Sequence, residues 1–187
     1  MIDRRAFSED GYIADQDFTD GLRYGYWMSN YNGCGWIAVY NVLHYLGLSD
    51  DPERTFGEML QILPYEGRRG TPFPTISRFF REHSIPARRR YGTQELLRKV
   101  DGADCGIMRC VKEGAPHYVA FLKTAEKNGE GRQIYRFLNV ENGREDYSVS
   151  IEEFLSDYDC RGLTLRLLLP EGMKPAGGIF GETKKDS

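Results

Sequence analysis

Among the residues of this chain, a cysteine flanked by two glycines is the one best suited to act as a nucleophile. Cys34 stands in the segment Asn-Gly-Cys-Gly-Trp, and the apolar stretch over 35–46, stopped by Gly47, predicts a buried helix. Unpaired backbone N–H groups and the helix dipole at a helix start favour a thiolate, so we expect the pKa of Cys34 to be lowered. The alternative is a small apolar core residue, as free cysteines commonly are.

The chain has three histidines, so few residues can serve as a general base for that cysteine. His117 begins a predicted strand in Gly-Ala-Pro-His-Tyr-Val-Ala-Phe, where its ring can reach the start of a packed helix and accept a thiol proton. The alternative for His117 is a strand residue bonded to a backbone carbonyl. His44 follows Cys34 on the same helix, about 15 Å along its axis, and cannot meet it. His83 ends an Arg-rich amphipathic helix and is expected to be solvated.

An asparagine at the end of the next predicted strand can orient the histidine. Asn139 falls beside His117 if the two strands form a hairpin, and its carboxamide oxygen can then accept the imidazole N–H and fix the tautomer. Glu141 and Asn142 are close alternatives, although Asn142 before a glycine also suits a turn. We therefore prefer Asn139 for the orienting role.

Acyl-transfer chemistry also needs donors for a developing oxyanion. The backbone N–H of Cys34 is one candidate, and a side-chain amide a few residues upstream would supply another. The nearest upstream glutamine is Gln16, which is distant in sequence, so we assign the second donor to Asn30 and, as an alternative, to Asn32.

Helical patterns fill the first half of the chain and strand patterns the second, which indicates an α+β fold in two layers. Beyond the buried helix, the patterns predict helices over 52–62, 71–83 and 93–100, a short helix opened by a capping box at Ser150, and strands over 105–111, 117–124, 133–140 and 163–169. The predicted organisation is an aromatic N-terminal arm (1–31), a catalytic domain (32–170) with a helical half (32–100) and a sheet half (101–170), and a mobile tail (171–187).

Composition excludes several classes of protein. The net charge of −3 lacks the basic excess that nucleic-acid binding requires, and the absence of a long apolar run predicts no signal peptide and no membrane span. We therefore expect a soluble, cytoplasmic protein without a metal or other cofactor. The four cysteines predict neither a disulfide framework nor a zinc site. Cys105 and Cys110 should point to opposite faces of one strand, and Cys160 should be structural.

A basic run at 88–90, together with Arg68 and Arg69, offers an anion-binding alternative. Charge runs of this length usually form a solvated loop surface, which is the interpretation we prefer here.

The order of these motifs resembles the papain-like cysteine peptidase superfamily, most closely the branch related to bacteriocin-processing (double-glycine leader) peptidases. The similar segments are Asn-Gly-Cys-Gly-Trp, Gly-Ala-Pro-His-Tyr-Val-Ala-Phe, Phe-Leu-Asn-Val-Glu-Asn-Gly and Ser-Ile-Glu-Glu-Phe. The resemblance implies Cys34 as nucleophile, His117 as general acid and base, and Asn139 as the orienting residue. It also implies a buried central helix packed on a C-terminal antiparallel sheet. Asn139 stands where that branch commonly has Asp, and its usual upstream glutamine is missing.

The expected function is a cysteine peptidase or amidohydrolase that cleaves a peptide or amide bond through an acyl-enzyme, with no nucleic-acid or membrane partner. The alternatives are a papain-like acyltransferase or amide-forming enzyme, which shares the triad, and a peptide-binding module of the same fold that does not cut its ligand.

Overall fold

Helix α2 (Cys34–Tyr45) lies at the centre of the core, as its apolar sequence predicts. The computed structural model describes residues 1–92, 102–112, 114–140, 147–160 and 162–167. Gly47 follows the helix with a φ of 68°, a left-handed conformation that suits glycine at a helix end. The other described α-helices are α1 (Ser29–Asn32), α3 (Pro52–Gln61), α4 (Phe73–Glu82) and α5 (Ile151–Asp157).

An antiparallel sheet forms the second layer, so the chain is a mixed α+β protein. A two-residue hairpin pairs β1 (Arg23–Tyr24) with β2 (Trp27–Met28) outside that sheet. The main sheet contains β3 (Ala87–Gly92), β4 (Cys105–Lys112), β5 (Ala115–Lys127), β6 (Gln133–Leu138), β7 (Tyr147–Ser150) and β8 (Gly162–Leu167). Its strand order is β3-β8-β4-β5-β6-β7, so β5 lies between its two neighbours in sequence.

The two faces of β5 bury different apolar clusters. Tyr118 and Ala120 pack in the cluster that contains α2. Val119 and Phe121, which alternate with them, pack in a second cluster with Phe154 of α5. The sheet therefore lies between α2 on one side and α5 on the other. Thr71 lies against Gly35 and accepts a hydrogen bond from Tyr118, which brings the start of β5 close to the start of α2.

The N-terminal arm is part of the core. Asn41 of α2 holds it by accepting from the Ile13 backbone N–H (2.8 Å) and donating to the Ile13 carbonyl (2.9 Å). Tyr24 is buried, whereas Tyr26 and Trp27 are exposed, so only some of its aromatic residues pack inward as predicted. The regular elements of the arm are short: two 3₁₀ helices and the β1–β2 hairpin.

Most predicted elements are present within three residues of their expected ends, including the Ser150 capping box. The basic run is an exception: Arg88 lies in β3, which pairs with β8, so the segment is a strand rather than a loop. One strand of the sheet, β3, therefore lies in the half of the chain (32–100) that was predicted to be helical. The predicted helix over 93–100 and the tail over 171–187 fall outside the described residues. None of the helices in the described ranges is long and apolar enough to cross a membrane.

One cysteine pair that the sequence did not predict is present. Cys110 and Cys160 lie at disulfide-bonding distance, with an S–S separation of 2.32 Å, and link β4 to the segment after α5. Cys105 and Cys110 do point to opposite faces of β4, as the strand alternation predicts, because each packs in a different cluster. A low cysteine density excludes a disulfide-rich scaffold but says nothing of one pair brought together by the sheet.

Candidate active site

Cys34 occupies the first residue of α2 and follows the short helix α1 almost without interruption. The backbone N–H of Gly33, between the two helices, donates to the Ser29 carbonyl at 2.6 Å. Both flanking glycines are required by close packing: a Cβ on Gly33 would lie 2.4 Å from the Ser29 carbonyl oxygen, and one on Gly35 would lie 2.5 Å from Thr71 Cβ. The glycines thus let α1 and the Thr71 segment close around the thiol.

The Cys34 sulfur lies beside the peptide bond that joins His117 to Tyr118. Burial raises the pKa of the Cys34 thiol, while the nearby backbone N–H groups of Tyr118 and Gly35 and the charge of Arg109 act against that rise. The direction is opposite to the lowered pKa expected from the helix start, because desolvation outweighs the helix dipole here. Cys34 as a residue is half-buried, and the raised pKa favours the thiol over the thiolate.

The His117 ring is held by the backbone of Asn139. Its Nε2 lies 2.5 Å from the Asn139 carbonyl oxygen. Since a carbonyl oxygen can only accept, Nε2 carries the hydrogen of this bond, and the neutral imidazole has its lone pair on Nδ1. The structure thus brings His117 and Asn139 together as the hairpin argument predicted, with a tautomer that makes Nδ1 the basic nitrogen. The contact itself, a bond to a backbone carbonyl, is the one that the non-catalytic alternative for His117 predicted.

The Asn139 carboxamide does not have the predicted role of bonding to the imidazole through its oxygen. It donates from Nδ2 to Gln16 Oε1 at 3.1 Å, and the backbone carbonyl takes its place as the acceptor for His117. Asn139 has a φ of 61°, a left-handed conformation that asparagine tolerates better than most residues. This turn directly after β6 aims the carbonyl at the ring.

Gln16 joins the candidate orienting residue to the segment before the nucleophile. Its Nε2 donates to the Asn30 carbonyl at 2.8 Å while its Oε1 accepts from Asn139, and the side chain is buried. Sequence reasoning set Gln16 aside because of its distance from Cys34. The one feature of the sequence that points to Gln16 is that no other glutamine precedes Cys34.

The two predicted oxyanion donors have different surroundings. Asn32 is buried and donates from Nδ2 to the Gly67 carbonyl at 2.9 Å, so its amide anchors a loop. Asn30 is half-buried on α1, and its carbonyl accepts from Gln16. The Asn30 assignment remains a prediction.

The side chains of Tyr118, Thr71 and Tyr24 form a hydrogen-bonded layer close to the Cys34 thiol. Tyr118 donates to the Thr71 carbonyl at 2.9 Å, and the Thr71 hydroxyl donates to the Tyr24 hydroxyl at 3.2 Å. Burial raises the pKa of both tyrosines, so each hydroxyl stays protonated. This layer, which sequence reasoning missed, fixes the position of the Thr71 segment against Gly35.

The other candidates lie elsewhere. His44 Nε2 is 3.0 Å from the Asp10 carbonyl, near the far end of α2. His83 is exposed, as expected, and bonds to Glu58 Oε2 at 3.0 Å. Glu141 and Asn142 fall outside the described residues.

No protein-family model matches this chain, and no curated protein matches it in sequence. The geometry around Cys34 therefore has to support any functional assignment.

Proposed function

We propose that this protein is a papain-like cysteine peptidase or amidohydrolase that forms an acyl-enzyme on Cys34. The observation that supports the proposal is that the backbone N–H of Tyr118 is close to the Cys34 sulfur, and that Tyr118 directly follows a histidine whose Nε2 is held by a carbonyl. A thiol nucleophile, a base and a group that orients the base are the parts that such chemistry needs.

The reaction would begin from the neutral pair. His117 Nδ1 takes the thiol proton as the sulfur attacks the substrate carbonyl carbon, and a tetrahedral intermediate forms. His117 then gives that proton to the leaving amine, and a thioester remains on Cys34. Water attacks the thioester with His117 again as base, which releases the acid and restores the thiol.

The raised pKa of Cys34 fits a general-base mechanism rather than a resting thiolate–imidazolium pair. Proton removal then coincides with attack, and the Nε2 hydrogen bond to Asn139 steadies the imidazolium that forms. The mechanism requires the His117 ring, near the start of β5, to reach the Cys34 sulfur at the start of α2.

An activated ester tests the proposal without knowledge of the natural substrate. With p-nitrophenyl acetate, the wild-type protein should release a burst of nitrophenol equal to the enzyme concentration and then turn over. Cys34→Ala should abolish both phases. His117→Ala should slow acylation by about 10² or more, the usual contribution of general acid–base catalysis.

His83→Ala is the matched control, since this histidine is exposed and bonds to Glu58. It should retain wild-type rates. Equal rates in the two histidine variants would contradict the proposal. Addition of an amine distinguishes the alternative, because an acyltransferase would convert the acyl-enzyme to an amide faster than water hydrolyses it.

A further inference from the structure

Arg109 places a positive charge beside the candidate nucleophile. It lies on β4 directly opposite Tyr118 in the β4–β5 register. Ile107, two residues earlier, packs in the cluster with α2, so strand alternation puts Arg109 on the same face of the sheet. Its positive charge lowers the pKa of both the Tyr118 hydroxyl and the Cys34 thiol.

This charge has no carboxylate to balance it among the residues that the structure describes. Arg136, on the same sheet, is buried and forms an ion pair with Asp10 at 2.5 Å. Asp104, on the β4 side, faces Lys123 at 3.7 Å. Arg109 is half-buried, and no described Asp or Glu lies within ion-pairing distance of it. A partly desolvated guanidinium is best stabilised by a carboxylate, which it binds in a planar two-point contact.

We infer that Arg109 binds a carboxylate of the substrate, so that the site takes peptides or amides with an acidic group close to the bond that is cleaved. The inference rests on the proposed function in naming a substrate, but the anion site itself does not need catalysis. Two sources supply the same chemistry: the α-carboxylate at a peptide C-terminus and the side chain of an acidic residue.

Iodoacetate and iodoacetamide test the anion site directly. Both reagents form the same S–C bond at Cys34 and release iodide, and they differ in carrying a carboxylate or a neutral amide. The readout is the ratio of the two alkylation rates at Cys34, which cancels any change in thiol pKa. Arg109→Gln should lower that ratio by about tenfold, the lower end of the range for a hydrogen bond to a charged group. Arg109→Lys should retain part of it.

Arg88→Gln is the matched control, because Arg88 is exposed on β3, at the edge of the sheet. It should leave the ratio unchanged. A ratio that is the same in wild type and Arg109→Gln would overturn the inference. Circular dichroism of each variant checks that the fold is intact, and Arg109→Lys keeps the test decisive if Arg109→Gln does not fold.

Peptide libraries then distinguish the source of the carboxylate. One library has free C-termini, a matched one has amidated C-termini, and a third replaces Glu by Gln. Cleavage that depends on the free terminus identifies the α-carboxylate, and cleavage that depends on Glu identifies a side chain. Cleavage that ignores both would overturn the inference while supporting the proposed function. A changed alkylation ratio without cleavage of any library would support the anion site and contradict the peptidase.

Discussion

His117 Nε2 lies 2.5 Å from the backbone carbonyl oxygen of Asn139, so the main chain of this residue, rather than its side chain, orients the imidazole. Asn139→Gly keeps both the carbonyl and the left-handed φ of 61°. We expect its rate of acylation by the activated ester to stay within a few-fold of wild type. A loss of about 10² would mean that the carboxamide is the orienting group and would contradict this assignment.

Asn139→Ala provides the companion measurement. Alanine retains the carbonyl but is strained at a φ of 61°, so its free energy of unfolding should fall by about 1–2 kcal/mol more than that of the glycine variant. Chemical denaturation of the two variants compares them directly, and equal stabilities would show that the turn relaxes.

The pH dependence of Cys34 alkylation should reflect its buried surroundings. Because burial raises the thiol pKa, the iodoacetamide rate at Cys34 should keep rising above pH 9, beyond the ordinary cysteine value of about 8.5. Arg109→Gln should lower the rate at a given pH, since the arginine charge acts against the rise. A rate plateau near pH 6 would instead indicate a resting ion pair with His117.

The Cys110–Cys160 link should contribute strongly to stability. It closes a loop over a sequence separation of 50 residues, which corresponds to about 4 kcal/mol in the chain-entropy account. A thiol reductant should lower the free energy of unfolding of the wild-type protein by an amount of that order. The double variant Cys110→Ala/Cys160→Ala should not respond to reductant, and an unresponsive wild type would show that the cysteines are not bonded.

The tight packing at the nucleophile predicts opposite effects for two glycine substitutions. Gly35→Ala would bring a Cβ to 2.5 Å from Thr71 Cβ, so we expect a loss of about 1–3 kcal/mol in unfolding free energy and slower acylation of Cys34. Gly57→Ala, in α3, has no heavy atom within 4 Å of the added Cβ and should stabilise the protein by about 0.5–1 kcal/mol. Thermal unfolding of the two variants distinguishes these effects. An unchanged stability of Gly35→Ala would mean that the Thr71 segment moves aside.

The elements predicted best from the sequence are those with local signals. The apolar run before Gly47 is enough to predict α2, and the turn between two strand patterns is enough to place Asn139 beside His117. The acceptor atom within Asn139 could not be predicted, because it depends on the left-handed turn that ends β6.

Features that depend on contacts between segments distant in the sequence were not predicted, because no local pattern indicates them. Gln16 meets Asn139 across the fold, and Cys110 meets Cys160 only because the sheet and α5 bring their segments together. Strand β3 was not predicted, because its basic residues are typical of a solvated loop and its partner β8 is distant in sequence. The thiol pKa was predicted in the wrong direction because burial cannot be derived from the helix position alone.

The central claim, that Cys34 carries an acyl group and His117 catalyses its transfer, is tested most directly by rapid-quench peptide mass spectrometry during turnover of the activated ester. We expect an acetyl group on the peptide containing Cys34, formed and lost at the turnover rate in wild type and in His83→Ala, and formed far more slowly in His117→Ala. Acetylation at other residues, or a Cys34 adduct that forms equally fast without His117, would contradict it.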